Sequence, residues 1–562
     1  MYGFTRRRFI KILGQGSAIL GLGLSSRNAL AQGGSAKVQV NKQKTDVAVI
    51  GAGPSGLSAA LRAAELGMKV CLFEKTNKTG GARNGGMGPF GAGTHIQEKY
   101  GIKNCTTKDA FDYFMDFNHW KINARIASEY VNNTAYTVKW LEEQGLSYSP
   151  MTQSTGKSFM ESNFCHTFAR NPNYQNEDFI ACPLLTDKAK ANKNIQIFME
   201  TPVKKLIKTG NAVTGLIAQD KSGKEMQVDA KAVIITTGGF MGNAEMVKKY
   251  TSYTYKKDLF YTYEMPNLTG DGIKMAWEVG AARSEMMMDV YKGMPIYGGP
   301  QGTRMDWGIL ANPNLMVNLQ GERIMNEALS DRYMMANAIH RQTNGCGFLM
   351  FDSTIAEIYR NQKTETGRGG MPGGESSGGD APENASGGGG APGGASAGGG
   401  GRGGFGAQVT DIAKIVAEAK KLNYPYIFAA NSLEDLCKQT GINLQGLKIT
   451  IAEYNSFCKA GKDPVFYKDA SNLLPLNGPK YYAAQFCCDS FGGLGGIKIN
   501  YKTEVIDEAF KAIPGLYAGG SDANTMYADT YPGYLSGNTT GFAWTTGLMA
   551  AKHAAEYIKA SS

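Results

Sequence analysis

Two tyrosines near the carboxyl end, Tyr531 and Tyr534, lie in a run of small and turn-forming residues, DTYPGYLSGNTTG. A phenol is neutral at pH 7 and donates a hydrogen bond, so it can polarise a carbonyl group or exchange a proton. Arg323, in GERIMNE, offers a permanent charge that can stabilise negative charge developing on a substrate. These three residues are the candidate catalytic groups. The alternatives are tyrosines that only pack their loop and an arginine that pairs with Glu327 or Asp331.

A glycine-rich turn near the amino end is the second feature with chemical meaning. Gly51, Gly53 and Gly56 form G-x-G-x-x-G between the apolar run TDVAVI and an alanine-rich helical pattern, and Glu74 ends a second apolar run. Backbone N–H groups in such a turn can approach a pyrophosphate, and a carboxylate at that place can bind ribose hydroxyls. A tight structural turn is the alternative. The pattern predicts a strand–helix–strand unit that binds a dinucleotide.

Further motifs indicate whether the dinucleotide is FAD or a nicotinamide dinucleotide. The run TGGARNGGMGPFGAG at residues 79–93 has glycines where backbone must pass close to a flat or charged group, and a nicotinamide site has no need of it. Across most of residues 45–558 the ordered motifs are GAGPSG, EK followed by Gly80 and Gly81, TTGGF, TGDG, GERIMNE and GLYAGG. With these motifs the chain resembles the flavoprotein family of soluble fumarate reductases, urocanate reductases and 3-ketosteroid dehydrogenases.

The resemblance implies an α/β fold with a discontinuous, Rossmann-like FAD-binding domain and an inserted α+β capping domain. The expected FAD-binding segments are residues 45–244 and 486–558, with the cap at 245–485 and the substrate between the two domains. By the same resemblance, FAD is contacted by Gly51, Gly53, Ser55, Gly56, Glu74, Lys75, Gly80, Gly81, Gly85, Gly86, Val203, Thr237, Gly238, Gly239, Asp271, Gly520, Ser521, Ser536, Asn538 and Thr539.

The resemblance also bears on the substrate. In the dicarboxylate reductases an arginine in the loop that matches DTYPGYLSG and a histidine from the preceding strand grip substrate carboxylates. Here Tyr534 takes the arginine's place, and the histidine's place falls near Gly492. TYPG at 530–533 resembles the ketosteroid dehydrogenases instead, which implies Tyr531 as the group that polarises a ketone and Tyr534 as an acid or a stacking surface. Leu535 departs from that group, which tends to have glycine there.

The resemblance also concerns Arg323, and Tyr297 on the cap is considered with it. Arg323 matches the arginine that the fumarate reductases use as proton donor. A guanidinium has a pKa above roughly 12 and seldom releases a proton, so an electrostatic clamp is the alternative. Tyr297, in MPIYGGP on the cap, is a further candidate to contact the substrate.

These features predict an FAD-dependent oxidoreductase that reduces an activated alkene, an α,β-unsaturated carbonyl or carboxylate, by hydride transfer from flavin N5. The alternatives are a fumarate- or urocanate-type reductase, a ketosteroid-type dehydrogenase that works in the oxidative direction, and a flavin electron-transfer protein. No C-x-x-C-H haem motif occurs, so we expect electrons from a separate cytochrome, a quinol-linked protein or a soluble carrier. The five histidines have no metal-ligand spacing, and most of the nine cysteines are expected to be buried thiols.

The first 44 residues, a glycine-rich tract and the net charge bear on where the protein acts. Arg6–Arg8, the apolar stretch Ile10–Leu24 and the small-x-small sequence Ala29–Ala31 predict a twin-arginine export signal at residues 1–31 and a periplasmic or otherwise extracytoplasmic protein. Ile10–Leu24 is shorter than the roughly 20 apolar residues that span a bilayer, so no permanent membrane span is expected. Residues 32–44 read as a linker, and the glycine-rich tract 367–406 as a disordered surface loop. The net charge of +10 is scattered, which argues against nucleic-acid binding.

Overall fold

The computed structural model describes residues 41–81, 88–153, 163–169, 171–174, 180–253, 267–293, 312–329, 332–358, 412–421, 426–524, 526–533 and 535–561. The chain divides into Met1–Val40 and Asn41–Ser562. The predicted export signal, Gly85, Gly86, Tyr297, Tyr534 and the glycine-rich tract lie outside the described residues. Within the described ranges, no helix has the length and apolar character needed to cross a bilayer.

The described part of the chain contains both strands and helices throughout its length. The strands are β1 (Asn41–Ile50), β2 (Val70–Phe73), β3 (Ile195–Phe198), β4 (Val203–Thr209), β5 (Ala212–Gln219), β6 (Glu225–Ile235), β7 (Arg283–Gly293), β8 (Met316–Val317), β9 (Cys346–Asp352), β10 (Ile427–Ala430), β11 (Tyr481–Ile497), β12 (Glu504–Ile506) and β13 (Ala512–Ala518). The helices are α1 (Pro54–Glu65), α2 (His95–Lys99), α3 (Thr107–Phe117), α4 (Ala124–Glu143), α5 (Ala181–Ala191), α6 (Ala244–Tyr250), α7 (Asp271–Glu278), α8 (Arg332–His340), α9 (Ile412–Lys421), α10 (Leu433–Thr440), α11 (Leu444–Ala460) and α12 (Asn538–Ser561).

The larger sheet has eight strands and takes them from both ends of the chain. Its order is β12-β13-β6-β1-β2-β3, with β5 paired to β6 and β4 to β5. β1 pairs in parallel with β2 and β6, and β13 pairs in parallel with β6. The apolar runs of such strands are buried on both faces, which is why Val47 to Val49 are fully buried. The predicted strand–helix–strand unit is confirmed, and the motif GLYAGG contributes the end of β13 to the same sheet.

The second sheet is built from strands that lie between those of the first in sequence. Its order is β10-β11-β9-β8, with β7 also paired to β11, and its pairings are antiparallel. A separate apolar core packs on it, with Phe348, Phe351 and Phe486 fully or almost fully buried. The first sheet is mixed, since β4–β5, β5–β6 and β12–β13 pair antiparallel. The insertion of a second α and β unit into this discontinuous sheet is the predicted fold class.

Two segment boundaries in the structure bear on the expected domain limits. β1 begins at Asn41, so it includes the last four residues of the predicted linker. β11 runs from Tyr481 to Ile497 and crosses the position expected for the end of the cap. Cys487 and Cys488 lie within this strand, and eight of the nine cysteines are buried, as predicted.

Candidate cofactor and substrate site

The first glycine turn joins β1 to α1 and is closed by contacts that only glycine allows. Gly51 has a φ of +100°, and a Cβ there would lie 2.3 Å from the carbonyl oxygen of Thr236. A Cβ on Gly56 would lie 1.8 Å from the carbonyl oxygen of Gly51. Ser55, at the start of α1, has a buried hydroxyl with no hydrogen-bond partner among the described residues. A buried hydroxyl at a helix start fits a bound pyrophosphate, so the residues present fit the predicted dinucleotide.

Glu74 follows β2 and lies beside the first glycine turn, next to Ala52. Its carboxylate accepts a hydrogen bond from Ala52 N at 2.9 Å and from Thr76 N and Oγ1 at 2.9 and 2.8 Å. These bonds fix both oxygens, and each carboxylate oxygen can accept more than one hydrogen bond. The carboxylate thus has a fixed position and capacity for further bonds, and its predicted contact with ribose hydroxyls stays a prediction.

Lys75, Thr269 and Asp271 form a small polar group beside Glu74. Lys75 Nζ donates to Thr269 Oγ1 and to Asp271 Oδ2, both at 2.8 Å. Burial alone would raise the pKa of Asp271, but hydrogen bonds from Lys75 and Thr269 outweigh burial and hold this pKa below its ordinary value. Asp271 is the first residue of α7, where a negative charge is also favoured by the helix dipole. The structure thus brings together two residues predicted to contact FAD from distant parts of the sequence.

Three cofactor segments meet at the carboxyl ends of parallel strands. Gly53 lies opposite Gly81, since a Cβ on Gly53 would be 3.8 Å from Gly81 Cα, and Gly80 N donates to Ala52 O at 2.8 Å. Gly520 follows β13, and a Cβ there would lie 3.3 Å from Ser55 Cβ. Ligands of open α/β sheets bind at such strand ends.

The turn after β6 completes this edge of the sheet. Gly239 faces Ser521, whose Cβ would be 3.3 Å from a Cβ on Gly239. The N–H groups of Thr237, Gly238 and Gly239 are directed at the carboxylate of Asp522, a residue that the sequence pattern did not identify. Asp522 had no local signal, because it is one acidic residue in an ordinary turn.

The remaining predicted cofactor residues have mixed surroundings. Val203 is buried in β4 within the large hydrophobic core, and its predicted backbone contact with FAD stays a prediction. Asn538 begins α12 and is fully buried, with Nδ2 donating to Leu535 O at 2.7 Å and its carbonyl oxygen accepting from Tyr130 at 3.0 Å. Ser536 is also fully buried, and its hydroxyl donates to Gly533 O at 3.5 Å. These bonds hold the start of α12 against the preceding loop and against α4.

Tyr531 belongs to a group of packed phenols, Tyr333, Tyr527 and Tyr531, which we call the tyrosine cluster. The Tyr531 ring lies 4.8 Å from the Tyr333 ring and 5.2 Å from the Tyr527 ring, centroid to centroid. Its hydroxyl is 3.3 Å from Thr539 Oγ1, and the Tyr527 hydroxyl donates to Asn538 Oδ1. Tyr531 is 4% exposed. The structure therefore joins the tyrosine cluster to Asn538 and Thr539, two residues at the start of α12 that are predicted to contact FAD.

Helix α8 of the second unit is packed against this loop. Tyr333 lies so close to Gly533 that a Cβ on that glycine would be 2.2 Å from the ring. One helical turn later, Asn337 Nδ2 donates to Thr530 Oγ1 at 2.6 Å. Tyr333 and Asn337 were not identified from the sequence, although their i, i+4 spacing places them on one face of the helix. The TYPG motif is thus in contact with the inserted unit.

Arg323 lies in a group of four buried charged side chains, Arg323, Glu327, Asp463 and Lys468, which we call the ion cluster. The guanidinium is 6% exposed and pairs with Glu327 at 2.8 Å and Asp463 at 2.8 Å. Lys468 Nζ lies 3.2 Å from Glu327 and 2.8 Å from Tyr454 OH. Burial would lower the pKa of Arg323, but Glu327 and Asp463 outweigh burial and raise it. Arg323 thus pairs with Glu327, as the alternative prediction of a paired arginine expected. Asp331, the other expected partner, lies outside the described residues. Proton donation by Arg323 stays a prediction.

Comparison with known proteins adds the family. Residues 46–539 match the FAD binding domain family. The vinyl phenol reductase of Lactiplantibacillus plantarum is 27% identical over 527 residues, which cover 92% of this chain and 97% of that protein. The urocanate reductase of Eggerthella lenta is 28% identical over 495 residues, with 85% and 70% covered. A solved 3-ketosteroid Δ1-dehydrogenase from Sterolibacterium denitrificans has the same fold, with a TM-score of 0.65, 19% identity and coverage of 92% and 100%.

Proposed function

The chain belongs to the FAD binding domain family and is an FAD-dependent oxidoreductase, and from this premise we propose that it reduces the C=C bond of an activated alkene. The support comes from two relatives that align along most of their length and are named as reductases of vinyl phenol and of urocanate. Bound FAD would supply the hydride from flavin N5 to one carbon of the double bond. The protein must then hold the substrate, stabilise the charge that develops on it and protonate the neighbouring carbon.

The observation that carries the proposal is the tyrosine cluster at the contact between α8 and the TYPG loop. Phenol rings present flat apolar faces and neutral hydroxyl donors, which suit a conjugated carbonyl, carboxylate or aryl substrate better than a dianion. We assign Tyr531 as the donor to the substrate oxygen, with the rings of Tyr333 and Tyr527 fixing its orientation. Tyr534 remains the candidate proton donor or stacking surface.

For Arg323, the contacts support a role in holding the inserted unit together. Its charge is already neutralised by Glu327 and Asp463, and both partners raise its pKa, which opposes release of a proton. The proposed reaction therefore places polarisation of the substrate on Tyr531. Arg323 as proton donor or clamp is the competing assignment, and the Arg323→Ala substitution separates the two.

The experiment is anaerobic reoxidation of the flavin. The FAD-loaded protein is reduced with a viologen dye and mixed with a hydroxystyrene, a hydroxycinnamate, urocanate, fumarate or a 3-keto-1,4-diene steroid. We expect reoxidation at least 100-fold faster than in buffer with a conjugated aryl or carbonyl substrate. Rapid reaction with fumarate alone would establish the dicarboxylate alternative. Reoxidation by a c-type cytochrome and by none of the alkenes would favour an electron-transfer protein.

The proposed cellular setting is outside the cytoplasmic membrane, with electrons from a separate cytochrome, quinol-linked protein or soluble carrier. The support is the arginine cluster Arg6–Arg8 followed by the apolar stretch and the small-x-small sequence. Replacement of Arg6 and Arg7 by lysine should retain the protein in the cytoplasm, as judged by cell fractionation. Periplasmic recovery of this variant at the wild-type level would exclude twin-arginine export.

A further inference from the structure

Asp522 is a fully buried carboxylate between the two halves of the cofactor edge. It lies in the turn Gly520–Ala523 that follows β13. Its oxygens accept hydrogen bonds from Thr237 N, from Gly238 N at 3.1 Å and from Gly239 N at 3.0 Å. The Thr237 hydroxyl donates a further bond at 2.9 Å. One side chain thus engages four donors of the turn that follows β6.

The geometry of these donors is that of an anion-binding concavity. Gly238 and Gly239 have φ values of +87° and +89°, a conformation that glycine adopts readily. Successive N–H groups in such a turn can converge on one anion. Here Asp522 supplies the anion from within the chain. These N–H groups are therefore occupied, and we expect the turn to contact FAD with its Cα and carbonyl atoms.

The carboxylate is also connected to the other cofactor segments. Gly519, three residues before it, lies against α1, since a Cβ there would be 2.9 Å from Ser55 Oγ. On the opposite side, Thr237 Oγ1 accepts from Gly272 N at 3.2 Å, and Gly272 follows Asp271, the partner of Lys75. Asp522 is therefore linked to the first glycine turn on one side and to the Lys75–Asp271 pair on the other.

We propose that Asp522 is a positioning residue for FAD, which joins the amino-terminal and carboxyl-terminal parts of the cofactor site by fixing the turn at Thr236–Gly239. Burial raises the pKa of Asp522, and the bonds from Thr237 and Gly239 oppose this increase. A buried carboxylate of this kind depends on its full set of donors, because an unmet bond to a buried charged group is costly. Loss of the carboxylate should therefore release the turn.

The test uses Asp522→Asn, which keeps the shape but turns an N–H group toward N–H donors. We expect the Kd of the deflavinated protein for FAD, measured by flavin fluorescence, to rise roughly 10- to 100-fold. The absorption spectrum and the reduction potential of the bound flavin should also change, because the turn at Thr236–Gly239 is no longer held in one position beside it. Thr237→Val removes only the hydroxyl donor, and we expect a smaller rise in Kd of roughly 3- to 10-fold.

Asp352 provides a matched control in the second sheet. It is fully buried and accepts backbone hydrogen bonds from Ile355 N at 2.8 Å, Asn477 N at 2.7 Å and Gly478 N at 3.1 Å. Asp352→Asn should lower the melting temperature of the apoprotein and leave the Kd for FAD within about threefold. Equal losses of FAD affinity in the Asp522 and Asp352 variants would overturn the proposal, as would an Asp522→Asn protein with wild-type Kd, spectrum and potential. If Asp522→Asn does not fold, an unchanged Kd in Thr237→Val overturns it.

Discussion

The ion cluster and the tyrosine cluster satisfy buried polar groups in opposite ways. In the ion cluster, two positive and two negative side chains each lie within 3.2 Å of an opposite charge. In the tyrosine cluster, neutral rings contact one another, and the hydroxyls of Tyr527 and Tyr531 meet the neutral oxygens of Asn538 and Thr539. Both groups are almost fully buried, and both contain a residue with the chemistry of a catalyst.

This difference separates residues that hold the fold from residues that can act on a substrate. Removal of one member of a buried ion pair leaves the other charge without compensation, so each member is needed for stability. A neutral hydroxyl can exchange one acceptor for another at a net cost of about 1 kcal/mol, so it can turn to a bound substrate. We therefore expect Arg323 to contribute mainly to stability and Tyr531 to contribute to catalysis.

The largest expected effect is on the ion cluster. Arg323→Ala should lower the free energy of unfolding by roughly 3–5 kcal/mol, because Glu327 and Asp463 lose a buried partner. Urea unfolding of the FAD-loaded protein measures this loss. Lys438→Ala is the control, since Lys438 pairs with Asp435 but is 77% exposed, and its loss should leave the urea unfolding curve close to that of the wild type. An Arg323→Ala protein of normal stability with no reductase activity would reverse the contrast and make Arg323 the proton donor.

The tyrosine cluster should show the opposite behaviour. Tyr531→Phe keeps the ring and removes the hydroxyl, so we expect kcat to fall about 100-fold while the free energy of unfolding changes by less than about 1 kcal/mol. Steady-state kinetics with the best alkene and urea unfolding give the two values. Tyr527→Phe is the matched comparison, because its hydroxyl donates to Asn538 at the start of α12. It should weaken FAD retention more than it lowers kcat. Equal kcat values for Tyr531→Phe and wild type would contradict the assignment.

His166 gives a third case beside the ion cluster and the tyrosine cluster, because it is a buried polar group that is neutral at pH 7. Its ring nitrogens lie 2.7 Å from Thr94 Oγ1 and 3.0 Å from Phe164 O, and burial lowers the pKa of His166 from 6.5 to about 4. Below pH 6.5 the unfolded chain binds a proton that the folded protein excludes. The contribution of the neutral His166 to the free energy of unfolding is therefore complete above pH 6.5 and is lost as the pH falls toward 4. The loss from this one group should be about 2 kcal/mol at pH 5.

The measurement is urea unfolding at pH 7.5 and at pH 5. His166→Gln cannot take up this proton, so the loss of stability between the two pH values should be smaller than in the wild type, whatever its stability at pH 7.5. Identical losses in the two proteins would show that His166 does not contribute to acid sensitivity.

Those parts of the fold and site that depend on local sequence could be predicted. The spacing of Gly51, Gly53 and Gly56 between apolar runs specifies a strand, a turn and a helix, because each motif acts through its own backbone. The run GLYAGG likewise specifies a buried parallel strand. Since the carboxyl ends of parallel strands share one edge, these elements predict a cofactor site at that edge.

The remainder of the site depends on contacts between residues far apart in sequence. Asp522 and Thr237 are separated by 285 positions, and no local pattern marks an acidic residue as the partner of a distant turn. Arg323 was predicted as a catalytic group from its motif, whereas its surroundings depend on Asp463 and Lys468 of a later segment. Tyr333 lies in an ordinary helical pattern, and only the docking of α8 on Gly533 brings it to Tyr531.

The smallest expected effect concerns the link between the inserted unit and the TYPG loop. Asn337→Ala removes the hydrogen bond to Thr530, and we expect a loss of about 1 kcal/mol in stability. If α8 and the loop together form the substrate site, KM should also rise, by roughly 3- to 10-fold, because the loop loses a fixed contact. Asn326→Ala is the control, since Asn326 donates to Phe466 O at 3.1 Å, in the neighbourhood of the ion cluster. It should cost similar stability and leave KM within about twofold. A rise in KM for both variants would mean that general loosening of the inserted unit, and not its contact with the tyrosine cluster, controls substrate binding.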